Sequence, residues 1–269
     1  NLEEIRCRLQ ESRERDLVAF PELSVTGYGL GSRVSRLARR LTESSTLDLP
    51  SGHPPACLSL PEQGENELIY NAAVLVHRDR VLAKHRKVYL PTYGLFDEGR
   101  YFAPGQDPPP VVTLPSGWRA GLLVCEDFWH PALLYLLAIQ GADVALILAA
   151  APGRGDPSSA EKSPEQGHHL FSSSATWTLL ARTAALQYGM FIALVNRGGV
   201  EGGVTFAGES TVVGPDGSIL AKAPQGEPCV LEVNLSRDSL RAARTPYAHL
   251  RDEDPDFLLR AMMRLRERG

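Results

Sequence analysis

The sequence predicts a mixed α/β protein in which β-sheets are sandwiched between layers of helices. Short apolar runs typical of buried strands alternate with amphipathic segments rich in helix-forming residues. No linker-like gap interrupts this alternation over the 269 residues, and a hydrophobic fraction of 43% is enough for a sizeable core. We therefore expect one domain that spans residues 1–269.

The first part of the chain contributes two predicted helices and four predicted strands. Residues 1–15 favour a helix because Leu2, Ile5 and Leu9 share one stripe among charged residues. Residues 32–47 have the pattern of an amphipathic surface helix. The predicted strands are residues 16–20, 56–60, 69–77 and 81–85, separated by polar turns at 61–67 and 78–80.

The middle of the chain is organised around a strand-to-helix corner. An apolar run at 120–124 predicts a buried strand that ends at Cys125, and helix-forming residues follow Pro131 over 132–140. Ligands bind beyond the carboxyl ends of strands in open α/β sheets, and helix N-termini favour a thiolate. On this local pattern alone a small buried core residue is the favoured interpretation of Cys125, and a nucleophilic cysteine is the alternative.

The second half repeats the alternation. Residues 177–187 and 257–268 predict helices, and 198–203 predict a glycine-rich turn. Residues 153–174 are rich in Gly, Ser, Pro and charge, which predicts a long flexible loop, for example a lid. A polar C-terminal tail is expected over 236–269. The predicted strands are residues 142–149, 191–196, 210–213, 218–222 and 230–233.

Composition excludes several classes of function. A net charge of −4 argues against nucleic acid as a main partner, and no apolar run approaches the length of a membrane span. We expect no signal peptide, because the N-terminal segment is acidic and amphipathic. The four cysteines are widely scattered without metal-type spacing, so we expect no metal and a reducing, cytoplasmic location.

Polar side chains at strand ends are the candidate chemical groups. Glu22, Lys87 and Cys125 each follow a hydrophobic strand. Taken alone, each has an ordinary explanation: Glu22 could cap a loop and Lys87 could extend to solvent. Glu98, close to Arg100, could belong to an exposed ion pair of little energetic value.

Three motifs together carry a resemblance to the nitrilase superfamily of carbon–nitrogen hydrolases. They are Phe20-Pro-Glu-Leu-Ser-Val-Thr-Gly-Tyr28, Arg86-Lys-Val-Tyr-Leu-Pro91 and Leu123-Val-Cys-Glu-Asp127. Further agreement at Tyr70-Asn-Ala-Ala-Val74, Val195-Asn-Arg-Gly198 and residues 206–217 extends the resemblance over nearly the whole chain. Residues 90–102 and the Cys-Glu-Asp sequence look most like the glutaminase domain of glutamine-dependent NAD synthetases. No synthetase domain follows, which implies a stand-alone module or a fragment.

The resemblance implies a four-layer α-β-β-α sandwich and assigns roles to four residues. Glu22 would be the general base, and Cys125 the nucleophile that forms a thioester with an amide substrate. Lys87, with the backbone N–H of Glu126, would face the oxyanion. Glu98 would hold Lys87 and help to place substrate or water.

The resemblance also implies a substrate pocket. Tyr93 matches a family position that lines the pocket, Glu126 follows the nucleophile, and Phe128 and Trp129 are candidate wall residues, with a core position as the alternative. Family members that bind glutamine often carry Asn and Ser where this chain reads Ile147-Leu-Ala-Ala-Ala-Pro152. A pocket lined by alanines such as Ala151 cannot hydrogen-bond a polar head group in that way, so we expect a small linear amide and weak turnover of glutamine.

Other functions remain open at this point. They are a glutaminase that supplies ammonia, an N-acyltransferase that uses the same thioester, and an interaction module with a vestigial site. A Cys125–His130 pair is a weaker alternative, because its five-residue offset is no recognised arrangement. We expect no organic cofactor, because the sequence has no phosphate-binding loop. The resemblance implies a homodimer or larger homo-oligomer, with residues 133–139 and 244–269 as candidate interfaces.

Overall fold

A computed structural model describes residues 1–42, 47–94, 96–153, 162–163, 167–168, 172–226, 228–246 and 249–267. The described helices are α1 (Leu2–Glu11), α2 (Val34–Leu37), α3 (Pro131–Ile139), α4 (Ser172–Tyr188), α5 (Arg237–Arg244) and α6 (Pro255–Arg266). The first seven strands are β1 (Val18–Ala19), β2 (Ala56–Gln63), β3 (Ile69–His77), β4 (Arg80–Arg86), β5 (Val111–Thr113), β6 (Arg119–Val124) and β7 (Val144–Ala149). The others are β8 (Lys162–Ser163), β9 (Gly167–His168), β10 (Phe191–Asn196), β11 (Gly198–Glu201), β12 (Val204–Ala207), β13 (Thr211–Val213) and β14 (Ile219–Lys222).

Two larger sheets form the centre of the molecule. The first has the order β1-β2-β3-β4, and the second has the order β14-β13-β10-β7-β6-β5. Strands β6, β7 and β10 are parallel neighbours, whereas β5 and β13 flank them antiparallel. The carboxyl ends of the three parallel strands therefore lie at one edge of the second sheet.

The side chains of each strand alternate between two apolar layers. On β3, Ala73 and Leu75 join the core shared with the second sheet, whereas Val74 and Val76 pack in a separate cluster that contains Leu9 of α1. On the second sheet Gly121 faces α3, where a Cβ would lie 2.7 Å from a methyl carbon of Leu137. Helix, sheet, sheet and helix thus follow one another, which confirms the predicted four-layer sandwich.

Several local predictions were wrong. The helix predicted over 32–47 ends at Leu37, because Arg39 pairs with Glu62 as an isolated β-bridge and draws the chain into an extended path. Strand β2 accordingly runs through Gln63, into the predicted turn. The glycine-rich segment 198–203 forms most of the β11–β12 hairpin, since Gly202 and Gly203 adopt positive φ at its tip.

The C-terminal part also differs from the prediction. Residues 230–233 lie outside the strands, and α5 was not expected in the polar tail. Asp143 anchors α5 by accepting hydrogen bonds from Arg237 and Arg244 at 2.9 and 3.2 Å. Most of the loop predicted over 153–174 lies outside the described residues, although β8 and β9 fall in it and α4 begins at Ser172. In the described part of the chain no helix is long and apolar enough to cross a membrane.

Candidate active site

Three strand ends bring the predicted polar residues together. Glu22 follows β1, Lys87 follows β4 directly, and Cys125 follows β6 directly, at the edge where the parallel strands of the second sheet end. Glu22, Lys87 and Cys125 are all buried. Residues that are 65 and 103 positions away from Glu22 are thus collected at one end of the two sheets.

A lysine between two carboxylates forms the centre of the site. The Lys87 ammonium donates hydrogen bonds of 2.8 Å to Oε1 of Glu22 and 2.8 Å to Oε1 of Glu98. The three side chains, which we call the Lys87 cluster, are 0%, 0% and 6% exposed for Glu22, Lys87 and Glu98. Unpaired charges at this burial would be very costly, so each member depends on the others.

Burial and neighbouring charges together set the pKa values of Lys87 and Glu98. Burial alone would lower the pKa of Lys87, but Glu22 and Glu98 raise it well above the ordinary value, so the ammonium stays charged. Burial raises the pKa of Glu98, the charge of Lys87 lowers it, and the charge of Glu22 raises it. The resulting pKa of Glu98 lies above its ordinary value. Glu98 is therefore easier to protonate than an ordinary glutamate.

Additional donors fix the two acids. Glu22 accepts a 2.7 Å hydrogen bond from the Asn71 amide on Oε1, and a 3.0 Å bond from the backbone N–H of Ala150 on Oε2. The Tyr28 hydroxyl donates to Oε1 of Glu98 at 2.7 Å. Oε2 of Glu98 is buried and has no hydrogen-bond partner among the described residues, so it can accept one from a substrate or from water.

Cys125 occupies a strained backbone position. Its φ is +46°, a left-handed conformation that costs a non-glycine residue about 1–3 kcal/mol and persists only when its surroundings hold it. Burial raises the pKa of the Cys125 thiol, Glu22 raises it further, and Lys87 and the Ala150 N–H lower it. The net pKa is well above the ordinary value, so a base is needed to remove the proton. Glu22 and Lys87 can act on this pKa only from nearby.

Asp127 and His85 form a second buried pair that the sequence interpretation missed. Nε2 of His85 lies 2.8 Å from Oδ2 of Asp127, and both side chains are almost fully buried. Oδ1 of Asp127 accepts the backbone N–H groups of Val88 and Tyr89, each at 3.0 Å, and Oδ2 accepts that of Val124 at 3.3 Å. The position of Asp127 two residues after the cysteine was the available signal.

The predicted pocket residues divide between an exposed rim and the core. Tyr93 is exposed and donates its hydroxyl to the Glu126 carboxylate at 2.8–2.9 Å. Phe128 is buried and stacks on Trp177 at 5.8 Å, which agrees with the core position left open as its alternative. Trp129 is 41% exposed and meets the same indole edge-on.

Two further predicted residues have defined places. Ala151 is buried, and its N–H donates to Oδ1 of Asn196 at 2.9 Å. His130, the weaker partner considered for Cys125, stacks on Tyr89 with 3.3 Å between ring centroids. Among the described residues no group of three His, Cys, Asp or Glu side chains could hold a metal ion.

Fold and site together define a hydrolase: a four-layer α/β sandwich with a buried thiol beside an acid–lysine–acid cluster. Residues 5–245 match the model of the carbon-nitrogen hydrolase family, and the chain belongs to that family.

Relatives of known name agree with this assignment. The chain is 27% identical over 251 residues to a glutamine-dependent NAD(+) synthetase of Aquifex aeolicus, covering 91% of this chain but only 41% of that protein. It is 28% identical to a hydrolase encoded in the pqqF 5' region of Pseudomonas protegens, over 96% of this chain and 84% of that one. The solved structure of the NitN amidase of Nesterenkonia sp. AN1 superposes with a TM-score of 0.74 at 27% identity, covering 97% of this chain and 92% of that one.

Proposed function

We propose that the protein is a thiol-dependent amidase that cleaves the C–N bond of a small linear amide to a carboxylic acid and ammonia or an amine. The observation that carries the proposal is the buried Lys87 cluster beside Cys125. In a mutant of the amidase of Nesterenkonia sp. AN1, acrylamide undergoes Michael addition at the active-site cysteine, which supports a nucleophilic role for Cys125.

In the proposed reaction Glu22 takes the proton of the Cys125 thiol, and the sulfur attacks the amide carbonyl carbon. The Lys87 ammonium has three N–H donors, and Glu22 and Glu98 take two, so the third can face the oxyanion together with the backbone N–H of Glu126. Glu22 gives its proton to the departing nitrogen and leaves a thioester. Glu22 then takes a proton from water, which attacks the thioester, and the sulfur recovers that proton as the acid departs.

The rim and the floor of the site support a small substrate. The backbone N–H groups of Ala150 and Ala151 already donate to Glu22 and Asn196. The side chains of these two alanines are methyl groups, so neither residue can bind the polar head group of a substrate. Trp129 and the Tyr93–Glu126 pair would form the outer wall. We place Phe128 behind this wall, as support from the core.

A glutaminase is the second candidate. It is favoured by the Tyr93–Glu126 pair, whose carboxylate oxygens can accept hydrogen bonds from an ammonium group, and by the similarity to NAD synthetases. The chain spans about two fifths of the length of those relatives, so their complete activity is not carried over. Rapid release of ammonia from free glutamine would favour this candidate over the small-amide proposal.

The test is ammonia release from a panel of small amides, ureas, nitriles and glutamine. We expect activity on one or more short amides, loss of all activity in Cys125→Ala, and retention in Cys57→Ala, which alters the other buried thiol. Equal activity of the Cys125→Ala protein would refute the mechanism. Adding hydroxylamine separates hydrolysis from acyl transfer, because an acyltransferase would form the hydroxamate in preference to the acid. A vestigial site would give no turnover and no accelerated labelling of Cys125 by iodoacetamide.

We further propose a homo-oligomer in a reducing, cytoplasmic setting. Of the two candidate interfaces, α3 buries Leu133, Leu134 and Leu137 in the core of its own chain. On α6 the large apolar side chains are all exposed: Phe257, Leu258, Leu259, Met262, Met263 and Leu265. We therefore assign the interface to α6 and expect Leu259→Glu to lower the mass measured by light scattering, whereas an unchanged mass would exclude α6.

A further inference from the structure

Asp127 connects the two chain segments that carry the lysine and the cysteine. Its Oδ1 accepts the N–H groups of Val88 and Tyr89, the two residues after Lys87. Its Oδ2 accepts the N–H of Val124, the residue before Cys125. We propose that Asp127 is the positioning residue that fixes the Lys87 ammonium relative to the Cys125 sulfur, a role that rests on the proposed hydrolase function.

The surroundings of Asp127 suit this role. The carboxylate is fully buried, and in addition to three backbone donors it has His85 at 2.8 Å. Such a carboxylate has little freedom to move, since any displacement leaves a buried charge or N–H group without its partner. Asp127 therefore holds the two segments at a fixed distance from each other.

The strained conformation of Cys125 requires such a device. The positive φ of this non-glycine residue persists only because the surrounding structure holds it. Asp127 supplies one contact by closing the turn back onto the N–H of Val124. The stack of His130 on Tyr89 reinforces the same connection from the end of the turn.

A carboxylate is needed because the side chain must accept hydrogen bonds from two segments at the same time. An asparagine has the same shape, but only one of its terminal atoms is an acceptor. With its oxygen towards Val88 and Tyr89 it cannot accept from Val124, and with the oxygen towards Val124 it loses the other two. Asp127→Asn should therefore release either the lysine segment or the cysteine segment while conserving side-chain volume.

The experiment measures the rate of iodoacetamide alkylation of Cys125 against pH, by intact mass, in a Cys7→Ser/Cys229→Ser background that removes the two exposed thiols. The charged and titratable groups that act on this thiol are Glu22, Lys87 and Glu98, with Tyr28 close by. In Asp127→Asn we expect alkylation at pH 7 to slow at least tenfold and its pH profile to move to higher pH, because Lys87 no longer stabilises the thiolate as well. For any amide that the parent protein hydrolyses, we expect the fold-decrease in kcat to be larger than the fold-change in KM.

The matched control is Asp143→Asn, since Asp143 is also buried and accepts both a backbone N–H, that of Arg119, and side-chain donors. It should lower the unfolding midpoint without moving the alkylation profile. If Asp127→Asn does the same as this control, Asp127 is only structural and the proposal is overturned.

A second variant covers the case in which Asp127→Asn does not fold. His85→Leu removes one hydrogen bond to Oδ2 and leaves the backbone donors. We expect a shift of the alkylation profile in the same direction by a smaller amount, and an unchanged profile would overturn the proposal. If Cys125 of the parent reacts no faster than a cysteine of the urea-unfolded chain, the proposed function is wrong as well. If Cys125 of the parent reacts faster but neither substitution changes its alkylation profile, only the proposed role of Asp127 is wrong.

Discussion

Two neighbouring charge clusters, one on the first sheet and one at the end of its strands, differ in their ratio of acids to cations. In the Lys87 cluster two carboxylates share one ammonium. In the other, which we call the Glu62 cluster, Glu62 alone pairs with Lys84 and Arg86. Arg86 and Lys87 are consecutive in the chain, yet each belongs to a different cluster.

The ratio and the burial decide what each cluster can do. Burial alone would raise the pKa of Glu62, but hydrogen bonds from Arg86 and Lys84 bring it below the ordinary value, so this acid is held ionised. The pKa of Glu98 lies above its ordinary value, because that carboxyl is buried and faces another acid across a single cation. The Glu62 cluster is therefore a permanent ion cluster, whereas the Lys87 cluster can gain and lose a proton.

The largest expected effect comes from removing the two consecutive cations separately. Lys87→Met leaves two buried carboxylates without a cation, so we expect the unfolding free energy to fall by about 3–5 kcal/mol. It also removes a donor to the oxyanion, which should lower kcat by about 10²–10³-fold. Arg86→Met leaves Glu62 paired with Lys84, and we expect a loss of about 1–3 kcal/mol with nearly parental activity.

Urea unfolding and ammonia release from the best amide of the panel measure both quantities. The comparison would break if Arg86→Met impaired turnover as severely as Lys87→Met. Chemistry would then depend on the whole charged surface rather than on the buried ammonium.

The next effect comes from neutralising one acid in each cluster without changing its shape. In Glu98→Gln the amide oxygen can still accept from Lys87 and Tyr28, but the charge that helps to hold the ammonium is lost. Hydrogen bonds to charged groups contribute about 1.5–3 kcal/mol, so we expect kcat to fall about 10- to 100-fold. Glu62→Gln should leave kcat within the error of the assay, and a large kcat loss there would contradict the division into two clusters.

The two acids should also give opposite dependences of stability on pH. The folded-state pKa of Glu62 is lowered, so its contribution is present above the unfolded value of about 4.3 and is lost as pH falls through the folded pKa. The folded-state pKa of Glu98 is raised, so its contribution is present below about 4.3 and is lost as pH rises through the folded pKa.

Urea unfolding between pH 3 and 8 separates the two terms. Relative to the parent, Glu62→Gln should flatten the fall in stability on the acid side, and Glu98→Gln should flatten a fall on the neutral side. Curves that run parallel to the parent curve would show that neither pKa differs between the folded and unfolded states.

The sequence predicted the parts of this site that strand ends determine. Glu22, Lys87 and Cys125 each follow an apolar run, and the three motifs around them predicted both the fold and the family. The long-range contacts could not be read in the same way. Nothing near Asp127 indicates that it accepts N–H groups from Val88 and Tyr89, because that contact depends on how the two sheets pack.

Local propensity failed where tertiary pairing overrode it. Residues 32–47 have a helical pattern of apolar positions, but the bridge between Arg39 and Glu62 provides backbone partners that a longer helix would have to give up. Residues 198–203 contain four glycines, which indicate a turn, yet pairing with β12 makes a hairpin of them. The roles of the site residues stay predictions until the substitutions are measured.

The smallest expected effect comes from substituting one tyrosine beside each cluster. The Tyr28 hydroxyl donates to Glu98, and this hydrogen bond favours the ionised carboxylate. Tyr28→Phe should therefore raise the pKa of Glu98 further and move the limb of the kcat–pH profile that reports this acid to higher pH, with a loss of about 0.5–1.5 kcal/mol in stability.

Tyr70, beside the Glu62 cluster, provides the control. Its ring lies 4.0 Å from the Arg86 guanidinium, and Tyr70→Phe keeps that ring. The Tyr70→Phe profile should coincide with the parental one, because Glu62 does not exchange a proton during turnover; if both variants move the limb equally, the two clusters titrate together and the distinction between them is lost.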